Sequence, residues 1–488
     1  MKKFFTLCLM ATALMSSAKV YTMADLATLV PVMEDGSGVA VVNGEYVITL
    51  PASLPEGYSG ISFDNNNIVL STKYFTIKEG NGLKVNPNEV VRFAGKTCVE
   101  IEGTLEADGA TFAAAEGAET TALGFRLYKE GSDVKLKDCT FEYVGITYGN
   151  GTETGNFQAE GCTFNKHNGK SANSAISFTS KSTGNLIVDC IFNDNELSSI
   201  ASGANVPCGI LVSNCKFYKP RASTRLYPPI NISATGSYDI TIDGNEVHGP
   251  AQTTRAGGIA LSCLLGNPPT GQLTISNNLV KDCSYGITLT GPGNVRIVNN
   301  TVLNNKYIAN AAQGGSGINI TCSSNTVKAN AYLEGNHIEG NLWGITAVAL
   351  SGATPLNSVV INAGKTEDLT AEDYNPGNNV FINNGNDSEG TYKKFDYYNN
   401  TANDSYAQGN TWSVDVQDDE HIAEVVVDKA DNPALGTIIY LPAKDLSSIS
   451  DIKAANGKAN GRFNILGQPV DNSYRGIVIE NGKKLIVK

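Results

Sequence analysis

A short pattern that recurs along most of the chain constrains its fold more than any other feature. Each copy has a Cys or Asn, one further residue and then a large apolar residue, as in Cys139-Thr140-Phe141 and Asn300-Thr301-Val302. Ala110-Thr111-Phe112 fits as a first copy with Ala in place of Cys or Asn. Ten intervals separate it from the last copy, at Asn410, so the mean period is 30 residues. A period of this length is typical of a solenoid, in which each unit packs only on its neighbours. The Cys and Asn positions are called rungs below; they are Cys139, Cys162, Cys190, Cys215, Asn245, Asn278, Asn300, Asn336, Asn379 and Asn410.

Short strands are predicted on both sides of most rungs. Apolar residues alternate upstream, as in Ile240/Ile242, and a second segment downstream often begins with Gly, as in Gly286-Ile287-Thr288-Leu289. Alternation with period two indicates strands, and no part of the body has a convincing helical stripe. The predicted fold class is therefore all-β: a right-handed, single-stranded parallel β-helix solenoid.

The rung residues have a structural explanation. A Cys serves as a small apolar filler, whereas an Asn tolerates a left-handed backbone and can form hydrogen bonds with the rungs above and below. The following apolar residue is expected to point inward and stack. Because four Cys rungs share this inward row, we expect buried thiols there, with a disulfide between adjacent rungs as the alternative.

Composition limits the compartment and the partners. The apolar run from Phe4 to Met15 after Lys2-Lys3 predicts a signal peptide over residues 1–18 and hence an exported protein, extracellular or at the outer-membrane surface. The net charge of −12 argues against nucleic acid and anionic membranes as partners. No later segment is apolar enough to be a transmembrane helix, and a monomer is expected. CxxC pairs and Cys/His clusters are absent, so no zinc site is predicted.

The chain divides into five predicted segments. After the signal peptide, residues 19–75 are expected to form an N-terminal β cap and residues 76–443 the β-helix. Residues 444–460 have the composition of a linker, and residues 461–488 form a small C-terminal β module.

The body resembles secreted bacterial β-helix repeat proteins of the pectin-lyase-like superfamily. The similarity lies in the first coils, Leu83-Lys84-Val85-Asn86-Pro87 through Gly103-Thr104-Leu105-Glu106-Ala107-Asp108-Gly109, and in the last, Tyr406-Ala407-Gln408-Gly409-Asn410-Thr411-Trp412 through Leu435-Gly436. This resemblance implies a polysaccharide lyase, a polysaccharide hydrolase or a non-catalytic binding rod, and fold alone does not choose among them.

The tail resembles the C-terminal sorting modules of Bacteroidetes surface proteins, which the type IX secretion system recognises. The matching stretches are Gly461-Arg462-Phe463-Asn464-Ile465-Leu466-Gly467-Gln468-Pro469-Val470 and Gly476-Ile477-Val478-Ile479-Glu480-Asn481-Gly482-Lys483-Lys484. The resemblance implies a secretion machinery as a partner of the tail.

The hydrolase alternative is disfavoured. Glycoside hydrolysis requires paired carboxylates across the bond, and the resemblance implies Gly-His-Gly and Arg-x-Lys motifs as well. Neither motif is present, and the Asp418-Asp419 pair follows the last rung.

One group of long loops could bind or cleave an acidic polysaccharide. The loops that follow Cys215, Asn245 and Asn300 leave the same corner of nearby coils and should form one surface, called the shelf here. Tyr218, His248 and Lys281 each lie three residues after a rung and should stack in one outward row. The candidate binding residues of the shelf are Tyr218, Lys219, Arg221, Arg225, Tyr227, Arg255, Lys306 and Tyr307.

A lyase needs a base and a cation that neutralises the uronate carboxylate. His248 or Lys281 is the candidate catalytic base, and the arginines are the candidate cations. The alternative is that all are ordinary solvated loop residues. His167, His337 and His421 are weaker candidates. No cofactor is predicted, although calcium is an alternative through Asp194 and Glu196 or through Asp415, Asp418 and Asp419.

Three functions remain open at this point. The favoured function is binding of an anionic polysaccharide or host glycan at the cell surface without catalysis, since the hydrolase residues are missing. The second is a lyase that cleaves a uronic-acid polymer by β-elimination. The third is a structural surface spacer or adhesin.

Overall fold

The computed structural model describes the central part of the chain and short strands at both ends. The described residues are 82–444 without 128, 130, 150–155, 171–173, 219–226, 252–255, 309–310, 312–313, 325, 350–354 and 388–390, together with 20–21, 38–42, 45–49, 60–63, 68–70, 74–77, 462–464, 470, 476–480 and 483–487. The chain separates into two compact units, Met1–Ala443 and Lys444–Lys488. The expected signal peptide and most of the expected linker lie outside the described residues.

Three long sheets, almost entirely parallel, build the first unit, and each coil contributes one strand to each sheet in turn. The first sheet precedes the rungs. Its strands are Val20–Tyr21, Gly60–Phe63, Gly82–Val85, Thr104–Asp108, Asp133–Lys137, Phe157–Glu160, Ser182–Val188, Cys208–Ser213, Ile240–Asp243, Leu273–Ser276, Gly293–Val298, Ala329–Glu334, Val359–Asn362, Ser405–Tyr406 and Ile438–Ile439.

The second sheet follows the rungs directly. Its strands are Gly38–Val42, Glu45–Thr49, Ile68–Leu70, Val90–Phe93, Thr111–Ala114, Thr140–Glu142, Thr163–Asn165, Ile191–Asn193, Lys216–Tyr218, Glu246–His248, Leu279–Lys281, Thr301–Leu303, His337–Glu339 and Val380–Ile382. Only its first pair, Gly38–Val42 with Glu45–Thr49, is antiparallel.

The third sheet follows the second after loops of variable length. Its strands are Tyr74–Ile77, Cys98–Ile101, Gly124–Leu127, Gly145–Tyr148, Ser174–Phe178, Ser198–Ser202, Ile230–Ser233, Ile259–Ser262, Ile287–Thr290, Ser316–Cys322, Trp343–Ala349, Tyr397–Asn400 and Val426–Val427. Consecutive turns of one chain through three parallel sheets make a β-helix. Strands within residues 60–77 already pair in parallel with the first regular coil, so the β-helix extends into the expected N-terminal cap.

The remaining elements are short. Gly385–Asn386 pairs with Lys393–Lys394, and a four-residue helix, Asp419–Ile422, begins after its N-cap Asp418. The second unit is an antiparallel sheet of Arg462–Asn464, Gly476–Glu480 and Lys483–Val487. Among the described residues, no helix has both the length and the apolar character needed to cross a bilayer.

The rung residues lie buried at the corner between the first and second sheets. From Asn245 to Asn410, each rung amide donates a hydrogen bond from Nδ2 to Oδ1 of the next rung, over 2.9–3.0 Å. The same Nδ2 groups also donate to backbone carbonyls, as from Asn336 to Ile297 over 2.8 Å. The predicted hydrogen-bonded Asn ladder is therefore confirmed.

The left-handed backbone lies one residue earlier than the sequence analysis placed it. The residue before each Asn rung has a positive φ, for example 56° at Asn277, 55° at Asn299 and 68° at Gly244. This conformation turns the chain from one strand into the next while the rung side chain points inward, and Asn and Gly adopt it at low cost.

The apolar residues after the rungs stack in the core as predicted. Phe141, Phe164, Phe192 and Phe217 lie nearly parallel, with successive ring centroids 4.7–5.0 Å apart. This separation is the spacing of neighbouring strands in a sheet. Trp412 continues the stack on Phe381 at the C-terminal end.

The cysteines of the β-helix are thiols. Nine of the ten lie in the described residues, and all nine are free and buried, which confirms the expectation for the Cys rungs. Burial raises the pKa of the Cys98 thiol to about 11, so this thiol stays protonated at neutral pH.

A second buried ladder, which the sequence analysis missed, lies at the corner after the second sheet. Asn305, Asn341 and Asn384 lie five residues after their rungs, and their amides are joined by hydrogen bonds of 3.1 Å. Asn384 then donates to Asp396 over 3.1 Å. Ser413 also donates to Asp396, from its backbone N–H over 2.8 Å and from its hydroxyl over 2.6 Å.

Substitution within the rung ladder should destabilise the protein strongly. In Asn336→Ala, the buried amides of Asn300 and Asn379 each lose a partner, and we expect a loss of roughly 3 kcal/mol in the free energy of unfolding. The measurement is chemical denaturation followed by circular dichroism. The exposed Asn294→Ala is the control, with an expected change below about 0.5 kcal/mol. Equal losses in both variants would contradict a structural role for the ladder.

The buried carboxyl of Asp396 should make stability depend on pH. Burial raises its pKa from 3.8 to about 6, against the hydrogen bonds from Ser413 and Asn384. A carboxyl whose pKa is higher in the folded than in the unfolded protein stabilises the fold at pH values below its unfolded pKa. This contribution to stability is lost as the pH rises towards 6. Between pH 4 and pH 7, the free energy of unfolding of the wild type should fall by up to about 3 kcal/mol relative to that of Asp396→Asn. If the free energy of unfolding changes equally with pH in the two proteins across this range, Asp396 does not titrate as described.

Candidate functional site

The predicted outward row of the shelf is present. Tyr218, His248 and Lys281 occupy the last positions of three adjacent strands of the second sheet and are register partners. Their outward direction follows from alternation, because the residue before each of them is buried in the core. An aromatic ring, an imidazole and an ammonium group therefore follow one another at the spacing of adjacent coils.

Contacts within the row orient the imidazole. The ring centroids of Tyr218 and His248 lie 4.9 Å apart at a tilt of 58°. His248 Nε2 lies 3.3 Å from Glu246 Oε2, and Lys216 Nζ lies 3.3 Å from the other oxygen of that carboxyl. Burial opposes ionisation of Glu246, but the contacts with Lys216 and His248 lower its pKa overall. The His248 ring is thus held between an aromatic face and a carboxylate.

Glu246 was not among the residues that the sequence analysis selected. It lies two residues before His248 on the same short strand, and residues two apart on a strand share a face. This two-residue spacing could have identified Glu246 from the sequence as a neighbour of His248. The same arrangement recurs farther along the second sheet, where His337 Nε2 lies 2.8 Å from Glu339 Oε2.

The row changes character after Lys281. Its next members are Leu303, Glu339 and Ile382, so the cationic part ends at Lys281. Lys306, which lies outside this row, is exposed.

The other shelf residues are only partly described. Tyr227 and Tyr307 are half-buried, and burial raises the pKa of the Tyr307 phenol, with Asp282 and Cys283 adding to the effect. Lys219, Arg221, Arg225 and Arg255 lie outside the described residues. Whether the arginines converge on the row therefore stays a prediction.

The outer face of the third sheet carries uncharged polar groups that the sequence analysis did not consider. One row runs through register partners on eight adjacent strands, and it consists of Thr147, Ser177, Ala201, Asn231, Ala260, Thr288, Asn319 and Thr346. Its members are small and mostly polar, and all but Ala201 and Asn231 are buried. Asn319 connects its two neighbours, since it accepts from Thr288 over 3.2 Å and donates to Thr346 over 2.6 Å. These eight positions offer no acid or base; towards the N-terminal end the row continues with Arg126 and Glu100.

The remaining histidines occupy three different environments. His167 is buried five residues after its rung, and its backbone N–H donates to Asn195 over 3.0 Å. Burial lowers the pKa of His167 to about 4, so its ring is neutral at physiological pH. His337 faces outward as expected, and His421 lies in the short helix, 2.6 Å from Asp418.

Two of the acidic residues that were considered as calcium ligands, Asp418 and Asp419, accept hydrogen bonds from other groups. Asp418 accepts from the backbone and ring of His421, and Asp419 accepts from the Tyr440 hydroxyl over 2.6 Å. Within the described ranges, no three His, Cys, Asp or Glu side chains cluster closely enough to hold a metal ion.

Comparison with known proteins identifies the handedness of the solenoid. A family model described as a right-handed β-helix region matches residues 152–338. The fold of the first unit is therefore a right-handed parallel β-helix. No curated protein matches it.

Comparison with solved structures finds two that are similar to this chain. Tailspike protein 3 of bacteriophage CBA120 is 12% identical with a TM-score of 0.37, over 90% of this chain. A double mutant of the periplasmic alginate epimerase AlgG is 11% identical with a TM-score of 0.34, over 87% of this chain and 84% of its own. The chain spans 62% of the length of the tailspike.

Proposed function

We propose that the protein is exported and binds an anionic polysaccharide along the shelf without cleaving it. The observation that carries this proposal is the in-register row of Tyr218, His248 and Lys281 on three adjacent strands. A flat ring can pack against a sugar face, while the imidazole and ammonium groups can donate hydrogen bonds to hydroxyl and carboxylate oxygens. A polymer with regular repeats suits a surface whose groups recur from coil to coil.

The net charge of the whole chain means that this proposal requires a local cluster of cations. At a net charge of −12, the protein repels polyanions at long range, so binding requires a cluster that reverses this field locally. Lys281 and exposed Lys306 supply part of that cluster. In the proposal, Lys219, Arg221, Arg225 and Arg255 supply the remainder from the long loops. The tail from residue 461 serves export in this proposal, through a secretion machinery that recognises it.

Shelf variants should lose affinity for acidic polysaccharides. Affinity electrophoresis of the full chain in gels that contain polygalacturonate, alginate or hyaluronan measures retention directly. We expect Lys281→Ala to weaken retention roughly two- to fivefold, the scale of one exposed charge contact, and Tyr218→Ala with Lys281→Ala to weaken it further. Retention should also fall as salt is added.

The matched control is Lys135→Ala, which removes a lysine from the outer face of the first sheet. It should leave retention unchanged. The proposal fails if none of the acidic polymers retards the wild type, and it also fails if the control variant loses as much retention as Lys281→Ala.

Cleavage by β-elimination is the second candidate, because a base and a cation lie on adjacent strands. His248 could remove a proton while Lys281 neutralises the uronate carboxylate. Against this, the ionised Glu246 lies 3.3 Å from His248 and would repel a carboxylate brought to that base.

We therefore expect no turnover. The measurement is the ultraviolet absorbance of unsaturated uronide ends during incubation of the full chain with each acidic polymer. A rise that disappears in His248→Ala, with the fold retained by circular dichroism, would replace the binding proposal with a lyase. A flat trace with a retarded band in the gel would support binding alone.

A further inference from the structure

A groove of about 530 Å³ lies on the outer face of the first sheet, away from the shelf. Its floor is formed by four adjacent strands, from Leu273–Ser276 to Val359–Asn362. At a strand spacing of about 4.8 Å, this floor is about 14 Å long. The volume falls in the range of small-ligand sites.

The floor presents two parallel rows of polar and aromatic side chains. One row consists of the register partners Thr274, Arg296, Tyr332 and Asn362. The row beside it includes Asn294 and Asn330, and the amide of Asn330 donates to Asn294 over 2.8 Å. Both of these amides are exposed, so each keeps hydrogen-bonding capacity for a ligand.

The aromatic residue of the floor is held in place before any ligand arrives. The Arg296 guanidinium carbon lies 3.9 Å from the centroid of the Tyr332 ring. The Tyr332 hydroxyl donates to Glu334 over 2.9 Å. Held by these two contacts, the ring loses little further freedom on binding.

One wall of the groove is a loop that its own contacts hold in position. Glu372 and Asp373 of this loop line the groove. Asn362 Nδ2 donates to the Asp373 carbonyl over 2.7 Å, and Lys365 Nζ lies 2.6 Å from Asp373 Oδ2. Lys365 and Asn375 also exchange backbone hydrogen bonds of 2.8 and 3.0 Å.

The opposite wall is also fixed by local contacts. The backbone N–H of Gln272 donates to Asp239 Oδ1 over 2.8 Å. At Gly271, a side chain would place Cβ 2.2 Å from the Tyr238 carbonyl oxygen, so the close approach of this wall to the preceding coil requires glycine.

The charges of the groove select against a polyanion. Of the residues that line the groove, Arg296 is a cation and Glu372 and Asp373 are carboxylates, so the lining has no cationic excess. Two of these charges have ionic neighbours: Arg296 lies 3.9 Å from Glu334, and Asp373 lies 2.6 Å from Lys365. Hydroxyl, amide and guanidinium groups beside the Tyr332 ring match a ligand that is rich in hydroxyl groups and carries no charge. We propose that this groove binds a neutral oligosaccharide segment, as a second site that is independent of the shelf.

Affinity electrophoresis of the full chain in gels that contain a soluble β-glucan, a xylan or a galactomannan tests this proposal. At least one neutral polymer should retard the wild type. Tyr332→Ala should weaken that retention by about tenfold, and Arg296→Ala should also weaken it. Lys281→Ala, on the shelf, should leave it unchanged.

Tyr143→Ala is the matched control, because Tyr143 is also a half-buried tyrosine with a cation, Lys166, over its ring. It should retain neutral-polymer binding, and thermal unfolding should show that Tyr332→Ala remains folded. Arg296→Lys provides a second variant that keeps the charge but removes the planar stack. The inference is overturned if no neutral polymer retards the wild type, or if Tyr332→Ala and Tyr143→Ala are retarded equally. If shelf variants lose retention by acidic polymers but keep retention by neutral polymers, the two sites are independent and the groove proposal is supported.

Discussion

Hydrogen bonds between buried amides of successive coils hold the corner on which the rest of the structure depends. The four inner Asn rungs, from Asn278 to Asn379, each donate to one neighbouring rung and accept from the other. A coil displaced by one residue in this part of the solenoid would therefore leave several buried polar groups without partners. Such a slip would also turn every inward side chain outward. The ladder therefore specifies register as well as stability.

Because the register is constant, chemistry on the outside of the solenoid is organised in rows. Tyr218, His248 and Lys281 form a row on the second sheet, and Arg296 and Tyr332 belong to a row on the first. Each surface gains its properties from side chains about 30 residues apart in the chain. The two rows differ in charge balance, which is why we assign an acidic polymer to one and a neutral saccharide to the other.

Much of the fold could be predicted because period and side-chain chemistry are local properties of the sequence. The inward phenylalanine stack, the Asn ladder and the outward row of Tyr218, His248 and Lys281 were all predicted from spacing after the rungs. The second ladder was missed although Asn305, Asn341 and Asn384 recur five residues after their rungs. The left-handed turn was placed one residue late, since Asn occupies both the turn position and the rung in Asn277-Asn278 and Asn299-Asn300.

The sequence by itself determined the repeat, its strands and which face of each strand is buried, because these follow from alternation and from residue types that fit a buried corner. Only the tertiary structure decided which outward side chains meet. The contact of Glu246 with His248, and the stack of Arg296 on Tyr332, depend on rotamers and on neighbouring coils. The groove on the first sheet depends in addition on a loop that folds back on itself through Lys365 and Asp373. This closure depends on the backbone path of an irregular loop, which the repeat pattern does not describe.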